Sequence, residues 1–113
     1  MTFEVKIDSP AMADLQSLRA YDRSAILDSI ERILTTAPMQ ISKSRIKRLR
    51  GIVSPQYRLR VGEFRVFYDV RASTVYVMRV LIKSAVAGYV KELGHEIQNG
   101  KRGAVGPGNG QGG

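Results

Sequence analysis

The stretch "QYRLRVGEFRVFYDV", residues 56–70, decides the fold because apolar and polar residues alternate on both sides of one glycine. Successive side chains of a β-strand point to opposite faces, so this alternation indicates strands that are buried on one face. Gly62 and Glu63 fit a two-residue turn with glycine at its first central position. The stretch therefore predicts a β-hairpin of strands 56–61 and 64–70.

The two faces of this predicted hairpin differ in chemistry. One face carries only apolar and aromatic residues, namely Tyr57, Leu59, Val61, Phe64, Val66, Tyr68 and Val70. The other face carries Arg58, Arg60, Arg65, Phe67 and Asp69. We expect the first face to pack against a core and the three arginines to project from the opposite side of the sheet.

The segment before the hairpin predicts a strand and two helices. "FEVKI", residues 3–7, alternates as a short strand does. Ser9-Pro10 then supplies an N-cap followed by a proline in the first helical position. Apolar residues at helical spacing predict a helical hairpin over about 10–20 and 23–36, with Asp22 as the N-cap of the second helix.

The remaining segments predict loops, one more strand and a helix. Residues 37–56 contain prolines near both ends and little periodicity, which predicts a loop with at most one helical turn. Ala72-Ser73 predicts a second tight turn, and "TVYVMRVLI" beyond it is apolar on both faces, as in a central strand at 74–81. "SAVAGYVKELGHEI" predicts a short helix, whereas the glycine-rich residues 99–113 predict a disordered tail.

These elements predict an α+β fold in a single domain over residues 1–98. A helical hairpin packs on a curved, mainly antiparallel four-stranded sheet, and a short helix follows at the C-terminus. The chain has 113 residues, which suffices for one buried core.

Composition excludes several kinds of site. The chain has no cysteine, so disulfides, thiolate zinc sites and cysteine nucleophiles are excluded, and the single His95 cannot form a multi-histidine metal site. We expect neither a metal nor a cofactor. No run approaches the roughly 20 apolar residues of a membrane helix, and the N-terminus lacks a secretory pattern. We therefore expect a cytoplasmic protein without a membrane partner.

Positive charge is concentrated in one part of the chain. The net charge is +8, and residues 43–65 alone hold eight Lys or Arg against one acid. Such a block can be a solvated face. Its density, and its continuation into a strand, favour a polyanionic partner such as nucleic acid.

Three segments, in this order and spacing, carry a resemblance to a known family. They are "IKRLRG" at 46–51, "YRLRVGEFRVFYDV" at 57–70 and "VYVMRVLIKSAVAGY" at 75–89. With them the chain resembles the RelE/ParE superfamily of type II toxin–antitoxin toxins over about residues 1–93, and the RelE branch most closely. The hairpin motif separates the superfamily from other proteins better than it separates the two branches.

The resemblance implies a toxin that a cognate antitoxin protein neutralises and that cleaves mRNA on the ribosome. In RelE-like toxins a 2′-hydroxyl attacks the adjacent phosphate without a metal and leaves a 2′,3′-cyclic phosphate. The family's catalytic positions match Arg58, Arg60, Arg65, Lys83 and Tyr89 in this sequence. Three of these, Arg58, Arg60 and Lys83, depart from the RelE pattern, which has lysines at both positions on the first strand and an arginine after the last one.

The chemistry of each matched position agrees with such a reaction. Arginine engages two phosphate oxygens and stays charged, so Arg58, Arg60 and Arg65 would stabilise the charge of a phosphorane. Arginine is a poor base, and Lys83 is the amine among the matched positions, so we hypothesise that Lys83 transfers the proton. Tyr89 would stack on a base. The structural alternatives are arginines and a lysine that face solvent and a tyrosine that packs on the sheet.

Cations before the hairpin form a second predicted set. Lys43, Arg45, Lys47, Arg48 and Arg50 lie in the predicted loop, and we expect them to bind phosphates of ribosomal and messenger RNA. Two other functions stay open. A ParE-like toxin would inhibit DNA gyrase without nuclease activity, and a non-toxic RNA-binding module would need only the basic surface.

Overall fold

The computed structural model describes the backbone of residues 2–102 and the side chains of residues 2–94. The elements, in chain order, are β1 (Glu4–Ile7), α1 (Ser9–Gln16), α2 (Ala20–Ser29) with a π-helical turn (Ile30–Leu34) directly after it, β2 (Ile46–Arg48), β3 (Tyr57–Val61), β4 (Phe64–Arg71), β5 (Thr74–Ile82) and α3 (Lys83–Arg102). Within the described residues, no helix has the length and apolar character to cross a membrane.

The chain divides into two compact units, Met1–Lys83 and Ser84–Gly113. The first unit holds β1 to β5, α1 and α2, and the second holds α3 from its second residue onward. The predicted toxin domain over residues 1–98 stays a prediction. Of the predicted disordered tail, residues 99–102 belong to α3, and residues 103–113 lie outside the described residues.

The sheet has five strands in the order β1-β5-β4-β3-β2. β1 runs parallel to β5, whereas the other three pairs are antiparallel. The predicted four-stranded sheet is therefore wrong by one strand. The additional strand is β2, which lies at the edge of the sheet and was predicted as loop.

The sequence pattern did not predict β2 because this strand has one buried residue, Ile46, which is 2% exposed. A single buried position cannot display a period of two. Pairing with β3 forms the strand: Ile46 lies opposite Leu59, and the N–H of Arg60 donates to the carbonyl of Arg45 at 2.8 Å. The Ser42 hydroxyl accepts hydrogen bonds from the N–H groups of Arg45 and Ile46. No helical turn forms in residues 37–56.

Helix boundaries also differ from the sequence prediction. α1 begins at Ser9, so Asp8 occupies the N-cap position, and the Asp8 side chain makes no capping hydrogen bond. Arg19, not Asp22, occupies the N-cap position of α2. Asp22 lies in the first turn, where a carboxylate interacts favourably with the positive end of the helix. The predicted C-terminal helix is present but is longer than predicted, since α3 has 20 residues.

The apolar face of the hairpin is part of the core, as the alternation predicted. Leu59, Val66 and Tyr68 are each 0% exposed. They join one core with residues of α1, α2 and the π-helical turn, among them Ala11, Leu15, Ile26 and Ile30, and of β5, among them Val75 and Val77. Burial of apolar surface stabilises a fold by about 25 cal/mol per Å². We therefore expect this core to be the main contribution to the stability of the folded chain.

Both predicted turns are present and have two residues. Val61 lies opposite Phe64, and Gly62 between them has a φ of +56°, a backbone conformation that favours glycine. Ala72 has a φ of +54° in the second turn. The first turn sets the register of the hairpin and therefore decides which residues share a face.

A buried hydrogen bond ties β4 to the segment after the π-helical turn. The Tyr68 hydroxyl donates to the carbonyl of Pro38 at 2.6 Å, and its ring stacks on Tyr57 with 5.4 Å between centroids.

Tyr68→Phe should lower the free energy of unfolding by about 1–2 kcal/mol, because the Pro38 carbonyl would stay buried without a partner. Urea unfolding of both proteins measures this, and an unchanged midpoint would contradict it.

Tyr68 should also make the stability of the fold depend on pH in the alkaline range. Burial, and to a lesser extent Tyr57, raise the pKa of Tyr68 above its usual value of about 10. Above pH 10 the unfolded chain therefore loses this proton before the folded chain does, so stability falls as pH rises. Unfolding measured between neutral and strongly alkaline pH should show a smaller fall in Tyr68→Phe.

Candidate nucleic-acid interface

Strand register brings the predicted arginines together on the face of the sheet opposite α1 and α2. Arg60 lies directly opposite Arg65 in the β3–β4 pair, and Arg58 lies opposite Phe67. On the other side of β3, Arg58 lies opposite Lys47 of β2. Cations from three neighbouring strands thus share one face.

These cations line a pocket of about 160 Å³, which we call the basic pocket. Its lining consists of Lys43, Ser44, Arg45, Lys47, Arg58, Arg60 and Arg65. Six of the seven residues are Lys or Arg and none is acidic. A concave surface with one sign of charge concentrates the field, so the pocket suits an anion with several oxygen atoms, such as a phosphate group.

The conformation of Arg65 is fixed by the turn beside it. Its Nη1 donates to the carbonyls of Gly62 and Phe64, both at 2.9 Å. Burial, followed by the positive charges of Arg60 and Arg58, lowers the pKa of Arg65 below its ordinary value, and Glu63 partly opposes them. The group is thus held in place among like charges that Glu63 offsets only in part and that a bound anion would offset further.

A buried acid fixes the segment that enters β3. Asp69 is 3% exposed and accepts hydrogen bonds from the Ser54 hydroxyl at 2.5 Å and from the N–H of Gln56 at 2.7 Å. The Gln56 side chain in turn accepts from the N–H of Val70 at 2.8 Å. These bonds set the start of β3, two residues before Arg58. Sequence reasoning missed this role, although Asp69 was the one acid on the arginine face.

The predicted loop cations divide into two groups. Lys43, Arg45 and Lys47 line the basic pocket, together with Ser44, which the sequence prediction omitted. Arg48 instead lies over the ring of Tyr57, 5.1 Å from its centroid. Arg50 is exposed and does not belong to the lining residues. The alternation of β2 explains the division, because Lys47 and Arg48 point to opposite faces.

Lys83 lies at the end of β5, next to the hairpin turn. Its N–H donates to the carbonyl of Glu63 at 2.7 Å, and the preceding Ile82 lies opposite Phe64. Lys83 is not among the residues that line the basic pocket. Tyr89 belongs to α3 in the second unit. The catalytic and RNA-binding roles of all these residues stay predictions.

Comparisons with known proteins agree with the fold. The family described as "ParE toxin of type II toxin-antitoxin system, parDE" matches residues 5–86. The archaeal RelE–RelB complex from Pyrococcus horikoshii is similar, with 28% identity and a TM-score of 0.60 over 74% of this chain and 97% of that chain. A comparison with curated protein sequences gives no significant match.

Two bacterial structures share the fold at lower identity. A mutant of the Escherichia coli RelE toxin in the free state has 21% identity and a TM-score of 0.62, over 86% of this chain and 98% of that chain. The chromosomal ParDE system of Pseudomonas aeruginosa has 13% identity and a TM-score of 0.53, over 72% of this chain and 96% of that chain. The chain belongs to the RelE/ParE superfamily of toxins of type II toxin–antitoxin systems.

The opposed arginines predict a gain in stability when one is neutralised. Like charges directly opposite each other in a sheet are destabilising, so Arg60→Gln should stabilise the fold by about 0.2–1 kcal/mol at low ionic strength. The gain should shrink at high ionic strength, where exposed charges are screened. Thermal unfolding at both ionic strengths measures the effect.

Arg32→Gln is the matched control for this comparison. Arg32 is exposed, and its Nε lies 3.0 Å from a carboxylate oxygen of Asp28. The control should therefore show no gain, because it removes an attraction. A stability gain for Arg60→Gln that is independent of salt would contradict the charge explanation.

Proposed function

We propose that this toxin is an mRNA endoribonuclease that acts on the ribosome. The observation that carries the proposal is the basic pocket, where six cations converge and no acid lines the wall. The identity of 28% to an archaeal RelE adds support. The scissile phosphate would lie among Arg58, Arg60 and Arg65.

The proposed reaction needs no metal. A ribose 2′-hydroxyl attacks the neighbouring phosphorus, the bond to the 5′-oxygen breaks, and the products are a 2′,3′-cyclic phosphate and a 5′-hydroxyl end. Negative charge grows on the non-bridging oxygens, and each well-placed cation there lowers the barrier by about 3 kcal/mol. The guanidinium of Arg65 is oriented before substrate arrives, because two carbonyls already hold its Nη1.

Proton transfer is assigned to Lys83 in this proposal, and base stacking to Tyr89. The hydrogen bond between the Lys83 N–H and the Glu63 carbonyl keeps this residue next to the hairpin that carries the arginines. Arginines keep their protons, which leaves them to stabilise charge. Exposed Lys43, Arg45 and Lys47 would bind flanking phosphates of mRNA and ribosomal RNA.

A ParE-like function is the second candidate. The family match over residues 5–86 is to ParE toxins, and the Pseudomonas aeruginosa ParDE system shares the fold. Such a toxin would bind DNA gyrase and cleave no RNA. Under either function the partner is a cognate antitoxin, since the Pyrococcus horikoshii protein was solved in complex with RelB. An acidic antitoxin segment would complement the basic pocket.

Primer extension on cellular mRNA after brief induction of the toxin separates the two functions. The nuclease predicts new 5′ ends that are phased with codons, and purified toxin should leave DNA supercoiling by gyrase unchanged. Intact mRNA together with inhibited supercoiling would replace the nuclease proposal with the ParE-like one.

The role of Lys83 has its own test. Loss of a general acid or base costs typically 10²–10⁴-fold, so Lys83→Met should slow cleavage of ribosome-bound mRNA by roughly that factor. Lys6→Met is the control, because Lys6 lies on β1 at the opposite edge of the sheet from β2. Near-normal cleavage by Lys83→Met, with Arg60→Met strongly impaired, would remove Lys83 from the mechanism.

A further inference from the structure

A second cavity, which we call the groove, lies beside the basic pocket and has no role in the proposed reaction. Its volume is about 270 Å³. The π-helical turn and the segment after it contribute Ile33, Ala37 and Gln40. The approach to β2 contributes Ser42 and the buried Ile46. The groove is thus apolar on part of its wall and carries an amide and a hydroxyl on another part.

The groove and the basic pocket have a common wall. Ser44 and Arg45 line both cavities. A molecule that fills both cavities would place an anionic group on the basic side of this wall and a partly apolar group on the other. The group in the basic pocket is expected to be an anion, because the lining of this pocket has no acidic residue.

The dimensions and polar groups of the groove fit a nucleobase. A cavity of about 150 Å³ holds benzene, so about 270 Å³ admits a larger heterocycle. The Gln40 side chain offers both a donor and an acceptor, as the edge of a base requires. The Ser42 oxygen already accepts two backbone N–H groups, which leaves its O–H free to donate.

We propose that the groove is a nucleobase subsite, so that one nucleotide of RNA binds with its phosphate in the basic pocket and its base against Ile33 and Ala37. The inference rests on the proposed function, in that both take RNA as the substrate, and adds a base preference that belongs to the toxin itself. An acidic peptide could also bind the basic pocket, but the amide and hydroxyl at the groove favour a base.

Nucleoside monophosphates test the subsite without the ribosome. Adenosine, guanosine, cytidine and uridine 5′-monophosphates are titrated into the full-length ¹⁵N-labelled toxin, with ribose 5-phosphate as the baseless probe of equal charge. At least one nucleotide should bind about tenfold more tightly than ribose 5-phosphate, a typical gain from base contacts. It should also shift the amide signals of Ala37 and Gln40, whereas ribose 5-phosphate should shift only those of the basic pocket.

Two variants locate the effect. Ala37→Leu fills the groove and should remove the preference for the nucleotide while affinity for ribose 5-phosphate stays unchanged. Gln40→Ala, at an exposed position, should reduce the preference several-fold without affecting folding, and Met39→Ala is the neighbouring control outside the groove. Retained preference in both variants would overturn the assignment.

The remaining outcomes are equally decisive. Equal affinities for all five probes, or no binding of any, would overturn the subsite, and binding of poly-glutamate with shifts at the groove would assign it to a protein partner instead. Absence of mRNA cleavage together with a groove-dependent base preference would reject the nuclease proposal and leave the subsite standing.

Discussion

The two-residue turn at Gly62 and Glu63 is the constraint on which the rest of this structure depends. It pairs Val61 with Phe64 and so fixes every later pair of the hairpin. A shift by one residue would turn all side chains of one strand to the other face. The same register that buries Leu59 against Val66 therefore also places Arg60 opposite Arg65. Core formation and charge repulsion cannot be separated in this hairpin.

The fold accommodates this repulsion through burial and fixed backbone contacts. The apolar side of the hairpin joins the core with α1 and α2, and the turn carbonyls hold the guanidinium of Arg65. Asp69 is on the cationic face, yet it bonds to Ser54 and Gln56 and does not enter the basic pocket. Its charge therefore orders the backbone before β3, and the lining of the basic pocket contains no acid. Stability is commonly lower where a site requires like charges.

Sequence reasoning succeeded where a pattern repeats along one element. The alternation over residues 56–70 predicted both strands, their faces and the burial of Tyr57 and Tyr68, and the two tight turns were also correct. It failed where the presence or the start of an element depends on a single residue. β2 has one buried side chain, and its pairing with β3 depends on a strand that lies about ten residues further along the chain. Asp22 resembles an N-cap locally, but α2 begins earlier.

By itself, the sequence determined the hairpin and the identity of its cations, because alternation and turn chemistry act between neighbouring residues. Only the tertiary structure decided which cations meet. It joined Lys43, Arg45 and Lys47 to the three arginines and turned Arg48 to the other face, since that choice depends on the pairing of β2 with β3. It also placed Ser44 and Arg45 between two cavities. Cavities form between elements that are distant in sequence, and no local pattern encodes them.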